Sequence, residues 1–327
     1  MKIIVIMCFV FLGVSIVSTS LETDDGLEDP IISTKESLGQ KLFFDPILSS
    51  DQTISCASCH NPEFAFADNR AFSLGTGDSL GVRNAPSVMN MLSREHFFYD
   101  GRVVTLEEQV IVPIEHPLEM NLSYDIAVKR IQMDEGYDSL FRKIYNTIPD
   151  SFNIANALAE FQRTLESNGS APHDLWISDI DTAALSESQI RGHEIFIADE
   201  SLCFECHFGP DFTGDEFRNI GLFDGKKLKD KGRYEITKDS TDLGKFKVPG
   251  LRNVALTGPY MHNGMFVTLE EVIDYYSNPY DFIENPINMD TLMVKPLNFT
   301  PQQKKDLVNF LHSLTDKEIP LRRSGKE

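Results

Sequence analysis

Long apolar runs are scarce in this 327-residue chain. The exception is residues 3–17, a stretch of about 15 residues that follows Lys2 and precedes the small residues Ser18 and Ser20. This order predicts a signal peptide over residues 1–20 that is cleaved on export, and hence a periplasmic protein. A membrane anchor is the alternative, although a span needs about 20 apolar residues. No later segment is long and apolar enough for a span, so we expect a mature chain that is not embedded in a membrane.

Basic residues are also few, since 30 Lys and Arg face 50 Asp and Glu for a net charge of −20. Such a charge disfavours nucleic acid and acidic lipid as partners and leaves a cationic redox protein as a candidate. Strand-like alternation is rare, whereas apolar residues recur at helical spacing, which predicts a mainly α fold with little β-structure. The two clearest helical sets are Ile154, Leu158, Phe161 and Leu165, and Leu307, Phe310, Leu311 and Leu314.

Cysteine is infrequent but regularly placed. Apart from Cys8 in the predicted signal, the four cysteines form two C-x-x-C pairs, each followed directly by histidine. This pattern is typical of covalent haem c attachment, in which two thiols bond to the haem and the histidine binds its iron. A disulfide in each pair, a structural zinc with four cysteines or a thiol redox motif are the alternatives, and none explains the two histidines. The predicted attachment residues are Cys56, Cys59, Cys203 and Cys206, with His60 and His207 as iron ligands.

The two halves repeat the same features in the same order. Each has a helix start with a glycine, the C-x-x-C-H motif, a Gly-x-Arg-Asn segment and a Val-Thr-Leu-Glu-Glu segment. These lie at residues 34–43, 56–60, 81–84 and 104–108 in the first half, and at 186–196, 203–207, 250–253 and 267–271 in the second. A tandem duplication explains the repeat and predicts two cytochrome c-like haem domains, at residues 21–166 and 167–327. Both Thr-Leu-Glu-Glu segments are predicted capping boxes that begin helices.

With these motifs, the chain resembles the bacterial dihaem cytochrome c peroxidases and their MauG-type relatives. The resemblance runs from about residue 37 to 314, through residues 42–46, 83–87, 100–102, 118–120, 251–257 and 310–314. It implies that the first haem, anchored by His60, reacts with hydrogen peroxide, and that the second, anchored by His207, passes electrons to it. The implied donor is a small cytochrome c or cupredoxin, and the oligomeric state, a homodimer included, stays open.

The resemblance also implies distal roles for Gln109 and Glu119. Gln109 lies with Leu106 and Val110 on the apolar side of a predicted helix, where a lone polar group needs a partner. Glu119, next to Met120, is implied to move a proton between the peroxide oxygens, as a general acid–base catalyst does. The structural alternatives are a glutamine bonded to backbone and a surface or salt-bridged glutamate.

Further carried-over positions concern the region between the haems. Tyr99 matches the position of an aromatic between the two haems, with a core aromatic as the alternative. Asn84, Thr257 and Pro259 match the protein ligands of a calcium ion, the last two through carbonyl oxygens, which suit this hard cation.

The chain departs from the ordinary peroxidase pattern at both haems. Thr76 stands where many of these peroxidases carry a removable histidine ligand, and no histidine lies between His60 and His96, so we expect an open first haem. Tyr276 stands at the methionine ligand of the second haem, a MauG-type feature that favours ferric iron. The predicted helix face turns Tyr276 inward and Tyr275 outward.

Three functions therefore remain open. The first function is reduction of peroxide, the second is MauG-like oxidation of a protein substrate, and the third is plain electron transfer. Among the other histidines, His262 is the best placed to face a haem.

Overall fold

The computed structural model describes residues 32–322, and the predicted signal peptide lies outside these described residues. The described part is mainly helical, as predicted, with one short antiparallel pair of strands that joins β1 (Phe217–Arg218) to β2 (Phe246–Lys247). The helices are α1 (Lys35–Phe44), α2 (Cys56–Cys59), α3 (Leu106–Glu115), α4 (Tyr124–Met133), α5 (Glu135–Tyr145), α6 (Ser151–Arg163), α7 (Pro172–Ile177), α8 (Glu187–Ile197), α9 (Tyr234–Thr237), α10 (Leu269–Ser277) and α11 (Pro301–His312). None of the helices in this range is long and apolar enough to cross a membrane.

The repeat of the sequence reappears as a repeat of helix packing. In the first half α1 packs on α6, and in the second α8 packs on α11. A glycine makes each contact close, because a Cβ at Gly39 would overlap the carbonyl of Ala157 and a Cβ at Gly192 would overlap that of Asp306. Equivalent glycines thus support equivalent helix pairs beside the two C-x-x-C-H motifs.

The two cores follow these helix pairs. The first is built on α1 and on α3 to α6, and the second on α8, α10 and α11. The side chains of Leu165 and Leu314 lie just beyond the ends of α6 and α11 and are still buried, at 1% and 0% exposure. The predicted apolar faces therefore continue past the helices that carry them.

Threonine begins both helices of the repeated Thr-Leu-Glu-Glu segments, but only one forms the full capping box. Thr268 accepts from the backbone N–H of Glu271, and the Glu271 carboxylate accepts from the Thr268 N–H in return. At α3, Thr105 accepts from the Glu108 N–H, but the Glu108 carboxylate accepts from Val104 instead. The predicted capping box is therefore wrong for α3, because its glutamate caps the residue before the threonine.

The two arginines of the repeated Gly-x-Arg-Asn segments each bind two carboxylates. Arg83 lies 2.6 Å from Asp100 and 2.7 Å from Asp230. Arg252 lies 2.8 Å from Asp174 and 3.3 Å from Asp211. These ion pairs tie the segment that follows each haem motif to other parts of the chain, α7 among them.

Candidate haem sites

The first C-x-x-C-H motif forms the short helix α2, and His60 ends it. The Nδ1 atom of His60 lies 3.1 Å from the carbonyl oxygen of Phe66, which fixes Nδ1 as the donor and leaves Nε2 with a lone pair. Burial lowers the pKa of His60, which favours the neutral ring that an iron ligand needs. The ring is thus held in the tautomer that binds a metal through Nε2.

The second motif repeats this arrangement on a 3₁₀ turn over Cys203–Glu205. The Nδ1 atom of His207 lies 2.9 Å from the carbonyl oxygen of Phe212, and burial again lowers the pKa of the ring. A backbone carbonyl five or six residues downstream orients each imidazole, a common support for a metal-binding histidine.

The four cysteine thiols are free, with no disulfide in the described chain. Burial raises the pKa of Cys56 to about 12 and those of Cys59 and Cys203 to about 11, which disfavours the thiolate that a redox motif needs. No group of three or more His, Cys, Asp or Glu side chains comes together within residues 32–322, as a four-cysteine zinc site would require. The geometry therefore matches haem attachment better than the three alternatives.

A cavity of about 920 Å³ lies beside the first motif and is lined by Cys56, Cys59 and His60. This volume is at the upper end of the roughly 300–1,000 Å³ typical of cofactor pockets. Gln109 on α3 lines the same cavity, and its Oε1 atom is buried with no hydrogen-bond partner among the described residues. Since buried polar atoms are normally paired, this oxygen indicates a bound group in the cavity. The residues present thus fit a haem.

Glu119 lines this cavity too, on the turn that follows α3. Its backbone N–H donates to the carbonyl of His116 at 3.0 Å, and its own carbonyl accepts from Thr76 at 2.8 Å. Burial raises the pKa of Glu119, while His116 and Arg102 act in the opposite direction. Gln109 and Glu119, which the sequence analysis placed in one pocket, both line this cavity. His116 was not singled out from the sequence, where its only signal was its position three residues before Glu119.

The positions implied for the region between the haems lie on the same cavity, which Tyr99, Asn84, Thr257 and Pro259 line. The Tyr99 hydroxyl donates to Oδ1 of Asn84 at 3.4 Å, and burial raises the pKa of Tyr99. Among the residues described, the carbonyl oxygens of Thr257 and Pro259 accept no hydrogen bond. Residues that offer three oxygens suited to a hard cation therefore line the same cavity as Tyr99.

Two other residues that the sequence analysis discussed, Thr76 and His262, do not line this cavity. Thr76 is buried with its loop against the Leu118–Glu119 backbone, where a Cβ at Gly75 would overlap the Leu118 carbonyl, and Thr76 does not line the cavity. His262 is also absent from the cavity wall, because its ring stacks on Phe246 with centroids 3.7 Å apart. That His262 faces a haem stays a prediction.

At the second motif, Tyr276 on α10 is close enough to Cys206 and Cys203 for the two thiols to affect the pKa of its hydroxyl. Burial raises its pKa, and the two thiols raise it further. The expectation that Tyr275 turns outward is wrong, because its side chain is fully buried and donates to the Ile220 carbonyl at 2.6 Å. Phe266 and Phe282 pack around the Tyr275 ring. They extend the apolar face of α10, so that this face includes Tyr275 as well as Tyr276.

Comparisons with known proteins agree with this geometry. A family model for di-haem cytochrome c peroxidase matches residues 33–182, and one for cytochrome c matches residues 190–315. The chain is 36% identical over 290 residues to the methylamine utilization protein MauG of Methylorubrum extorquens, covering 88% of this chain and 79% of that protein. It is 37% identical over 240 residues to a cytochrome c551 peroxidase of Nitrosomonas europaea, covering 72% and 71%.

The chain belongs to the dihaem cytochrome c peroxidase/MauG family. A crystal structure of a MauG-like protein associated with microbial copper homeostasis has the same fold, with a TM-score of 0.78 and 33% identity over 86% of this chain and 89% of that one. As a member of this family the protein is an oxidoreductase that carries haem c.

Proposed function

We propose that this protein is an exported dihaem peroxidase that reduces hydrogen peroxide with electrons from a small redox protein. The main support for the proposal is that Gln109, Glu119 and the His60 motif line one cavity. A protein that only carried electrons would have no use for an acid–base group and an unpaired amide oxygen there.

The attachment motifs supply the cofactor side of the site. Cys56 and Cys59 would bond to one haem and Cys203 and Cys206 to the other, with His60 and His207 as iron ligands through Nε2. When bound, the first haem supplies an iron that binds peroxide and takes up its oxidising equivalents.

Glu119 would perform the proton transfer that cleavage of the peroxide bond requires. Its carboxylate takes a proton from one oxygen of peroxide and delivers it to the other, which leaves as water. Burial raises the pKa of Glu119, which brings the carboxyl nearer the working range of a group that both takes and returns a proton. Gln109 would hold the peroxide in position through its amide.

The peroxidase proposal is tested by steady-state oxidation of reduced cytochrome c by peroxide. We expect turnover by the purified protein with both haems in place. Failure to react with peroxide at all would contradict the proposal and return the protein to plain electron transfer.

Tyr276 supports the second candidate function, MauG-like oxidation of a protein substrate. A tyrosine bound to the second iron favours the ferric state, which suits an enzyme that withdraws electrons from another protein. Rapid reaction with peroxide but no turnover of any small donor protein would favour this function over the first.

A calcium ion is also part of the proposal, held by Oδ1 of Asn84 and the carbonyls of Thr257 and Pro259. Tyr99, which donates to Asn84, would then couple the ion to the path between the haems. Removal of calcium with a chelator should slow electron transfer between the haems while both remain attached.

The remaining features of the proposal come from the sequence. Residues 1–20 would direct export to the periplasm, and the mature chain would divide into a peroxidatic domain at 21–166 and an electron-transfer domain at 167–327. A homodimer is the oligomeric state to test, by light scattering of the purified protein.

A further inference from the structure

A histidine that the proposed chemistry leaves without a role lines the peroxide cavity. His116 follows the last residue of α3, and its Nδ1 atom lies 3.3 Å from Oε1 of Glu119. Both side chains line the cavity and are only partly buried, at 34% and 40% exposure.

The geometry of this pair limits where its protons can be. The backbone N–H of Leu118 also points at Nδ1 of His116, at 3.4 Å. If Nδ1 accepts that bond, it has a lone pair, and a Glu119 oxygen 3.3 Å away must be protonated to bond to it. If Glu119 is ionised, Nδ1 must carry the proton instead. A hydrogen bond between the two side chains, in either direction, would therefore place one proton between them.

The backbone holds the pair in this arrangement. The carbonyl of His116 accepts from the N–H groups of Glu119 and Asn121, at 3.0 and 3.1 Å. The carbonyl of Glu119 is bonded in turn by Thr76 of the neighbouring loop. The turn therefore fixes both side chains on one wall of the cavity.

We propose that His116 is a positioning residue that shares one proton with Glu119 and exchanges it with water. This inference rests on the proposed peroxidase function. Reduction of one peroxide to two waters consumes two electrons, which the donor protein supplies, and two protons, which must come from solvent. Glu119 only moves the proton that peroxide already has, so His116, one-third exposed, provides the route for solvent protons.

The other charged and titratable groups around the pair are few. Arg102 lies near enough to Glu119 to favour its carboxylate. The thiol of Cys59 also interacts with Glu119, but it no longer titrates once it is bonded to haem. Burial already raises the pKa of Glu119 against the opposing effect of His116, so loss of His116 would raise that pKa further and Glu119 would keep its proton to higher pH.

The test compares His116→Gln and His116→Asn with His312→Gln as a matched control, because His312 is an exposed histidine at the end of α11. The rate of reaction with peroxide is measured by stopped flow from about pH 5 to 8 in the protein with both haems attached. In the His116 variants we expect the rate to fall by up to about tenfold at the acid end, with the acid limb of the profile moved to higher pH. The control should follow the wild-type profile.

A binding measurement separates this inference from the proposed function. Cyanide binds haem iron as the anion and gives up its proton, so the pH dependence of its equilibrium affinity reports the proton acceptor in the cavity without turnover. The same displacement to higher pH is expected in both His116 variants. Superimposable rate and cyanide profiles in wild type and variants would overturn the inference, as would loss of haem from both variants, which would make His116 structural. A wild-type protein that binds cyanide with the predicted His116 dependence but does not react with peroxide would contradict the proposed function alone.

Discussion

The two haem motifs hold their histidines in the same way. They differ in the residues of the Thr-Leu-Glu-Glu helix that belongs to each half. In each half a backbone carbonyl fixes Nδ1 of the histidine, at 3.1 Å for His60 and 2.9 Å for His207. The repeated Thr-Leu-Glu-Glu helices then diverge, since Gln109 of α3 corresponds to Val272 of α10, and Pro113 corresponds to Tyr276. Duplication has thus kept the support of the iron ligand and changed the residues that decide what else reaches the iron.

The largest test of this comparison removes one attachment site at a time. The double substitution Cys56→Ala and Cys59→Ala should leave one haem and abolish reaction with peroxide, because the first site is the one with acid–base groups. Cys203→Ala with Cys206→Ala should also leave one haem but keep the first reaction with peroxide and lose turnover with donor. Mass spectrometry of the denatured chains counts the haems, and each double variant is the control for the other. Peroxide turnover that survives in the first variant would reverse the assignment of the sites.

Glu119→Gln tests whether the polar wall of the first cavity performs acid–base work. We expect the peroxide reaction to slow at least roughly tenfold with both haems retained, since general acid–base groups contribute about 10²–10⁴-fold. Because burial raises the pKa of Glu119, its carboxylate form is lost as pH falls through that raised value, and the wild-type rate should fall on the acid side. Glu318→Gln, at an exposed glutamate far along the chain, is the control. Equal rates in all three proteins would remove Glu119 from the mechanism.

Local patterns account for most of what the sequence predicted correctly. The helix starts at Thr34 and Ser186 and the inward side of Gln109 depend on residues within a few positions of one another. Tyr275 was misplaced because its surroundings include a distant segment, where its hydroxyl donates to the carbonyl of Ile220. The ring of His262 likewise stacks on a distant residue, Phe246, which no local pattern predicts.

The missed pairing of His116 with Glu119 has a different cause. The two residues are only three apart, but they lie in a turn after α3 rather than in a helix, so neither helical nor strand periodicity places one side chain beside the other. The turn formed by the backbone bonds to the His116 carbonyl brings the imidazole of His116 and the carboxyl of Glu119 together.

The coordination of the two irons should also differ, with an effect on spectra and potential rather than on haem content. We expect one high-spin, five-coordinate haem at the first site, which reacts without prior reduction of the second. Tyr276→Met should raise the reduction potential of the second haem, within the range of about 0.8 V that axial ligands span. Tyr275→Phe is a matched control on the same helix, because it loses only a hydrogen bond to backbone worth about 1 kcal/mol. Two six-coordinate haems in the oxidised protein, or a Tyr276→Met spectrum identical to wild type, would contradict this assignment.

The smallest expected difference concerns the two helix starts, where the repeat is preserved in sequence but not in hydrogen bonding. Glu271 accepts from the N–H groups of Val267 and Thr268, at 2.6 and 3.1 Å, whereas Glu108 accepts only from Val104, at 3.2 Å. Since a lost helix cap costs about 0.5–2 kcal/mol, we expect Glu271→Ala to lower the free energy of unfolding by about 1 kcal/mol.

Glu108→Ala should cost less than Glu271→Ala, because it leaves one backbone donor unpaired rather than two. Urea unfolding of the protein with both haems, followed by circular dichroism, measures the two changes at unaltered m-value. Glu270→Ala is the control for α10, since it removes a carboxylate from the same first turn without removing a bond to the cap. If the two losses were equal after this correction, the second bond of Glu271 would contribute nothing, and the two helix starts would be equivalent in energy despite their different geometry.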